Sequence, residues 1–327
     1  MREAELVVPA RTIPAPLSIS PEARAGLIAA ANLPERPDYP ALDDLEGWAE
    51  SAARSDAIVA GLRLDAAAAP LVESEAIVLG GVPSYRITLR GRSAQNEENV
   101  LFDIHGGALI AGGGDLCRVT GSMMAVAYGA TTYAPDYRMP PRFRYPAALD
   151  DCVAAYRALI ARHPPRRIVV QGSSAGGNLA AALMLRLRDE DLPFPAGLIL
   201  QSPEVDLTES GDSFRTNLGV DTMLKRPLMP VNLLYANGHD LADPMLSPLF
   251  GDFSRGFPPT VLTSGTRDLF LSNAVRMHRA LRKAGIESDL ILSEAMPHGG
   301  FFGAPEDVQL LAELRQAAER FWTRAGR

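Results

Sequence analysis

A serine sits in a frame of small residues at 172–176, Gly-Ser-Ser-Ala-Gly, between the β-branched run Ile168-Val169-Val170 and an alanine- and leucine-rich stretch. The G-x-S-x-G spacing at a strand-to-helix junction is that of a nucleophile elbow, a turn tight enough to push one hydroxyl out of the backbone toward a substrate carbonyl. A serine hydroxyl attacks poorly unless a base takes its proton. Ser174 occupies the tip of the turn, and glycines at 172 and 176 let backbone and helix close around it. The backbone N–H of Ala175 falls at the start of the following helix, where unpaired amides and the helix dipole favour a developing oxyanion. An ordinary βα loop with Ser174 as its N-cap would carry the same pentapeptide, so the remaining apparatus has to decide. Ser173 reads as a structural or hydrogen-bonding residue of the loop.

A second source of oxyanion donors is expected in a glycine loop after an early strand, and "DIHGGALIAGGGD" at 103–115 has that form. The amides of Gly106 and Gly107 can approach a tetrahedral oxygen with no side chain in the way, and His105 can brace the loop. Gly112 to Gly114 read as turn geometry before the next helix; the alternative for the whole stretch is a flexible glycine turn. Five histidines are available as the base. His163 ends a helix beside prolines, where it can cap carbonyls, and His278 lies within a charged amphipathic helix; neither position faces a crevice at the strand ends. His298, in "EAMPHGGFFG", follows the last expected strand in a glycine-rich loop from which an imidazole can reach the elbow. Asp268, in "TSGTRDLFL", follows the preceding strand and is the candidate acid. The chain order Ser174, Asp268, His298 is that of α/β-hydrolase triads. The plainer readings are a loop hydrogen-bonder for His298 and a helix N-cap for Asp268, with Glu204 and Asp206 of "SPEVDL" as rival acids.

The elements that must hold these groups alternate in type. Two β-prone runs flank Gly80-Gly81, and "NVLFDIHGG" supplies a third. A helix near 115–128, strand "ATTYAP", helix "PAALDDCVAAYRALIARH", strand "RIVVQG", helix 175–189 and strand "AGLILQSP" follow. This alternation predicts an α/β fold with a mostly parallel central sheet flanked by helices. It breaks between about 208 and 245 into short helices interrupted by proline and glycine, then resumes with "PTVLTSG", "SNAVRMHRALRKAG", "SDLILSEA" and "APEDVQLLAELRQAAERFW". An insertion at that point, above the carboxyl ends of a parallel sheet, is placed to cover a ligand crevice. Residues 1–60 are Pro- and Ala-rich with helical pieces. The expected organisation is therefore 1–60 and 208–240 as parts of a helical cap, with 61–207 and 241–327 as the catalytic unit.

Composition narrows the classes of function. The 327 residues are 47% hydrophobic and 22% charged with a net charge of −7, which fits a globular, soluble chain and argues against a general nucleic-acid surface. The basic clusters "PPRFRYP" and "RHPPRR" read as solvated loops. Cys117 and Cys152 form neither a disulfide framework nor a zinc pattern. "MREAELVVPARTIP" lacks the apolar core of a secretory signal, and no later run approaches the roughly 20 apolar residues of a membrane span. A cytoplasmic location is expected.

The motifs "HGG", "DYR" with "YPAALDD", "GSSAGGNLA", "SP.VDLT", "GTRDLFL" and "MPHGGF", in that order from about residue 76 onward, resemble those of the hormone-sensitive-lipase-like esterases, the bacterial family IV or GDXG lipolytic enzymes of the α/β-hydrolase superfamily. The resemblance implies Ser174 as nucleophile, Asp268 and His298 as its triad partners, Gly106, Gly107 and Ala175 as oxyanion donors, and a cap made of the N-terminal helices plus the insertion. Two positions depart from the family pattern. Ala108 stands where H-G-G-G has its last glycine, and Ser173 stands where an acidic residue or threonine usually precedes the nucleophile. The first leaves both expected loop donors in place; the second bears on hydrogen bonding beneath the elbow.

The expected activity is hydrolysis of short- to medium-chain carboxylic esters through an acyl-enzyme, with no cofactor or metal. The partner is a small ester or lactone, and homodimerisation stays open. Met223, Leu224, Met229, Leu233, Leu234 and Tyr235 are expected either to shape an apolar acyl pocket or to pack the cap. A lactone hydrolase would use the same triad. A non-catalytic small-molecule receptor on a hydrolase scaffold is the alternative from another class, disfavoured because such chains usually lose a triad member.

Overall fold

The computed structural model describes residues 8–33, 37–61, 66–91 and 99–324. Residues 1–7 and 34–36 of the expected cap, and 62–65, 92–98 and 325–327 of the expected catalytic unit, lie outside that description. Eight strands form one sheet: β1 (Val72–Leu79), β2 (Val82–Leu89), β3 (Val100–Ile104), β4 (Thr131–Pro135), β5 (Ile168–Ser173), β6 (Gly197–Gln201), β7 (Thr260–Gly265) and β8 (Ser288–Ser293), in spatial order β1-β2-β4-β3-β5-β6-β7-β8. β2 pairs antiparallel with both β1 and β4, while β4, β3, β5, β6, β7 and β8 run parallel. The β1–β2 turn rests on Gly80 and Gly81, both at positive φ (63° and 88°), the conformation that a two-residue hairpin demands and that glycine adopts without steric cost.

The parallel strands β3 to β7 are buried on both faces because crossover helices cover each side, while the edge strand β8 is only partly covered. Every residue of β3 and β4 is buried. Helices α4 (Ala147–Ile160), α5 (Ala175–Asp189) and α8 (Leu271–Lys283) contribute Leu149, Tyr156, Leu179, Leu183 and Met277 to the larger core. On the other face α3 (Asp115–Tyr128) and α9 (Pro305–Arg324) pack Tyr128, Leu314, Phe321 and Trp322 against Leu101, Val169, Ile199 and Val261. β6 stops at Gln201, short of the expected "SP", because Ser202 turns to φ 43° and Pro203 has no N–H to give the ladder.

The remaining helices lie outside this sandwich. α1 (Pro21–Ala31) is capped by Ser20, whose Oγ accepts the Ala23 N–H at 3.1 Å, and it buries Ala23 and Leu27 beside Met296 and Phe301. α2 (Leu45–Gly61) has one fully buried side chain, Trp48. Between β6 and β7 the chain forms α6 (Ser213–Thr216) and α7 (Met229–Ala236). Trp48 meets Phe214, Leu228, Val231 and Leu234 of this connection, together with Ile110, Leu269 and Phe270, in a separate apolar cluster. Lys225 Nζ adds hydrogen bonds to the carbonyls of Ala31 and Leu33, and the Arg226 guanidinium lies 3.6 Å from the centroid of the Tyr39 ring. Among the described residues no helix is long and apolar enough to cross a membrane.

β5 enters α5 with almost no clearance. A Cβ on Gly176 would sit 2.5 Å from the His105 carbonyl oxygen and closer still to that of Ile104. Backbone of a neighbouring strand cannot swing away as a side chain can. Gly176→Ala is therefore expected to destabilise the fold by about 1–3 kcal/mol. Gly61→Ala, at a helical position with nothing within 4 Å, should be neutral or slightly stabilising. Thermal unfolding of the two variants beside wild type checks the pair; equal midpoints would show that the elbow has room.

Candidate active site

Ser174 stands between β5 and α5 with φ 56° and ψ −120°, a conformation that L-residues rarely adopt. Its N–H is held by the Gln201 carbonyl at 2.9 Å and its own carbonyl accepts from Asn178 and Glu204, so the turn is clamped by β6 and by α5 itself. The side chain is half-buried, accessible yet fixed. Ala175 is fully buried as the first residue of α5, and its N–H points out of the helix start beside the serine.

The β3 register places the glycine loop alongside. Ile104 pairs with Gly172, so Gly106 comes opposite Ser174, and a Cβ on Gly106 would touch the Ser174 Cβ at 3.4 Å and the Ser173 carbonyl oxygen at 2.9 Å. Gly107 adopts φ 125°, Ala108 φ 52° and Leu109 φ 62°. Ala108 thus fills a left-handed position that a glycine would take at lower cost. His105 lies beneath, its ring stacked on Tyr137 at 4.1 Å and its Nδ1 2.7 Å from the Gly106 carbonyl oxygen. Burial, its largest influence, depresses the His105 pKa and keeps the ring neutral, so Nδ1–H donates to that carbonyl and braces the loop.

β7 and β8 bring in the other two groups. His298 Nε2 lies 2.9 Å from Ser174 Oγ, and its Nδ1 lies 3.2 Å from Asp268 Oδ1. Asp268 is completely buried, accepting the Phe270 N–H and the Ser264 hydroxyl, each at 2.8 Å. It thus ties down the turn before α8, whose N-cap is Phe270, while facing the imidazole. The His298 side chain keeps 12% exposure and stands edge-on to Phe270 at 4.9 Å. Downstream, the Asp307 carboxylate gathers the N–H groups of Phe301, Gly303 and Ala304 at 2.6–3.0 Å.

Known proteins share this arrangement of sequence and fold. The α/β-hydrolase-fold family model matches residues 101–302. An esterase of Acinetobacter venetianus is 32% identical over 255 residues, 76% of this chain and 82% of that one. An acetyl-hydrolase of Streptomyces hygroscopicus is 35% identical over 196 residues, 59% of this chain and 65% of its own. The crystal structure of an esterase from the bacterial hormone-sensitive lipase family covers 93% of this chain and 99% of that one at 29% identity, with a TM-score of 0.78. The chain belongs to the hormone-sensitive-lipase-type esterases of the α/β-hydrolase fold. It is a carboxylic ester hydrolase.

Elsewhere in the esterase the structure separates the expected candidates. His163 Nε2 pairs with the Tyr133 hydroxyl at 2.9 Å and His278 Nδ1 with Ser288 Oγ at 3.0 Å, both away from Ser174. Asp206 is committed to Thr208, Ser210 and an Arg276 ion pair of 2.5 Å. Glu204 is buried with no hydrogen-bond partner for either carboxyl oxygen among the described residues. Burial, helped by the charge of Glu209, pushes it up to about 8, so it is protonated at neutral pH. Neither acid replaces Asp268 at the imidazole. Of the six apolar residues expected at a pocket or in packing, Leu234 and Tyr235 are core, Leu233 is exposed, and Met223, Leu224 and Met229 are half-buried.

Sequence reasoning missed one group. Asp221, in the irregular stretch between α6 and α7, is 1% exposed and places its carboxylate 3.3–3.4 Å from the His298 backbone N. No spacing rule links 221 to 298.

Burial alone would depress the His298 pKa, but the charges of Asp268 first, then Asp221, raise it above its ordinary value. Asp268 has the opposite balance: burial raises it, and the His298 charge with its hydrogen bonds brings it below the ordinary carboxylate range. Only neutral imidazole accepts the serine proton, so kcat/KM should fall as pH drops through a His298 pKa above 6.5, with Asp268 ionised throughout. Asp268→Asn should cut kcat by on the order of 10³–10⁴. Glu204→Gln and Asp206→Asn, at acids that bond neither imidazole nitrogen, should cost far less. The maximal rates of the three folded variants at pH 8, with the wild-type pH profile, check this; collapse of Glu204→Gln with normal turnover in Asp268→Asn would move the acid to the β6 loop.

Proposed function

We propose that the esterase cleaves short- to medium-chain carboxylic esters through an acyl-enzyme on Ser174, with His298 as base and Asp268 as its orienting acid. The observation that carries this reading is the unbroken line from Asp268 Oδ1 through both imidazole nitrogens to Ser174 Oγ, at 3.2 and 2.9 Å. As Oγ bonds to the substrate carbonyl carbon, its proton passes to His298 Nε2 and the carbonyl π pair moves onto oxygen. The amides of Gly106, Gly107 and Ala175 are aimed at that oxyanion. Collapse expels the alkoxide, which takes the proton from His298. Water then repeats the sequence on the acyl-enzyme, freeing the acid and restoring the serine hydroxyl. Asp268 stays ionised, holding Nδ1–H and stabilising the transient imidazolium.

N-terminal residues to about 60 and the connection at 208–240 act as the cap over this site. Their shared cluster around Trp48, which also takes in Ile110 of the glycine loop and Phe270 beside His298, supports that role. Half-buried Met223, Leu224 and Met229 then offer an apolar but shallow acyl surface, and the similarity to an acetyl-hydrolase favours short chains.

Ser174→Ala should fold normally and lose turnover by several powers of ten. Wild type assayed on p-nitrophenyl esters of rising acyl length and on a lactone panel should peak at short to medium acyl chains. A steady rise to long-chain triglycerides would mark a lipase, and preference for the lactones would reassign the substrate while leaving the triad intact. Removing the first 50 or so residues should lower solubility and blur the chain-length profile; an unchanged profile would remove that segment from the cap.

A further inference from the structure

Asp221 joins three segments through one carboxylate: its own stretch between α6 and α7, the loop after β7 and the loop after β8. Its Oδ1 accepts the N–H groups of Met223 at 2.8 Å and Leu224 at 3.1 Å within its own stretch. Its Oδ2 accepts the Leu269 N–H at 2.8 Å, one residue beyond Asp268, and both oxygens lie within 3.4 Å of the His298 N. One turn earlier, Asn217 Nδ2 donates to the Asp268 carbonyl at 2.8 Å, so the connection grips the acid's loop from two sides. Every partner of the Asp221 carboxylate is a donor, which suits the ionised form. No Lys or Arg pairs with it among the described residues. The charge that favours its ionised form is that of the His298 imidazolium.

We infer that Asp221 is a positioning residue for catalysis: it fixes the His298 loop against the Asp268 loop, and its charge stabilises the imidazolium formed when Ser174 is deprotonated. The region between β6 and β7 then supplies part of the catalytic geometry. The inference rests on His298 being the base. Misplacing an imidazole by a fraction of an ångström slows proton transfer far more than it weakens binding of a small ester. The carboxyls facing His298 are Asp268 from the β7 loop, Asp221 from the insertion and Glu204 from the β6 loop. Burial first raises the Asp221 pKa above its ordinary value and the positive charge of His298 lowers it in turn, so carboxylate and imidazolium favour one another, while Glu204 is held up to about 8.

Asp221→Asn keeps the volume, removes the charge and turns an NH₂ group against backbone donors. Asp221→Ser removes the charge but leaves an oxygen acceptor and space for water. For both, kcat on a short p-nitrophenyl ester should fall by on the order of 10–100-fold with KM within about threefold of wild type. The acidic limb of kcat/KM should move to lower pH, because the imidazolium has lost a stabilising charge. Titration with an organophosphonate counts competent sites, so kcat per site is read even from a poorly folding preparation. A merely structural role would lower the number of sites and the melting temperature while leaving kcat per site and the acidic limb at wild-type values, and that result would overturn the inference. His298→Ala run in parallel separates the two readings: full turnover there would remove the base assignment itself, whereas a dead His298→Ala beside a normal Asp221→Asn would remove only this one.

Discussion

Everything at the site depends on backbone meeting backbone at the end of β5. The strand, the start of α5 and the end of β3 converge with no side chain between them: Gly172 lies against the Gly176 carbonyl, Gly176 against those of Ile104 and His105, and Gly106 against that of Ser173. Such closeness is open only to glycine, and it forces Ser174 into the left-hand half of φ/ψ space, at a cost of order 1–3 kcal/mol. The sheet bears that strain because the surrounding strands are buried and fully hydrogen-bonded. Register then does the remaining placement. Ile104 opposite Gly172 carries Gly106 to Ser174, and Gly265 opposite Ser293 brings the loops of Asp268 and His298 out at the same end.

Burial sorts the acids of this region into two kinds. Asp268 has donors on both oxygens and a histidine beside it, and stays ionised although it is wholly buried. Glu204 lacks such donors and is held up to about 8. Asp103, below the glycine loop, receives one hydrogen bond from Gln171 at 2.5 Å, itself bonded by Gln201 at 2.8 Å, and burial raises it to about 6. A charge in a low-dielectric interior survives only where oriented donors replace water. The number and direction of N–H and O–H groups aimed at each carboxyl therefore separate Asp268 and Asp206, both held below the ordinary carboxylate range, from Glu204 and Asp103, and only Asp268 of these bonds the imidazole.

This explains what was legible in the sequence. The β-branched runs, the glycine punctuation, the strand–helix alternation and the loops that carry Ser174, Asp268 and His298 at the ends of β5, β7 and β8 were readable because each is a local pattern, and their chain order narrowed what each pattern alone left open. Helix α3 matches its expected span, and α5 does likewise, since a glycine or a serine elbow sets each start. Loops 208–245 were read only as broken helices. Their conformation is decided by side chains far away in sequence, such as Trp48 against Phe214 and Lys225 on Ala31. Tyr235 and Leu234 could equally have lined a pocket; only the packing of α7 sends them to the core. Asp221 was illegible for the same reason, since its meaning lies in amides at 269 and 298.

The cluster around Trp48 draws these points together. It joins a helix from the N-terminal region, both helices of the β6–β7 connection, the glycine loop after β3 and the Phe270 edge of His298. Close-packed side chains transmit displacement, because interiors have few voids in which to absorb it. A substrate that pushes on Met223 or Leu224 presses on the very residues whose amides Asp221 holds. On the proposed reading, acyl fit and imidazole placement are then mechanically coupled: an ester that seats well leaves His298 in line with Ser174, whereas an oversized acyl group strains the same hydrogen bonds that align the base. Selectivity would consequently be expressed in kcat as well as in KM, as expected when binding energy is used to hold reacting groups in position and not only to retain the substrate.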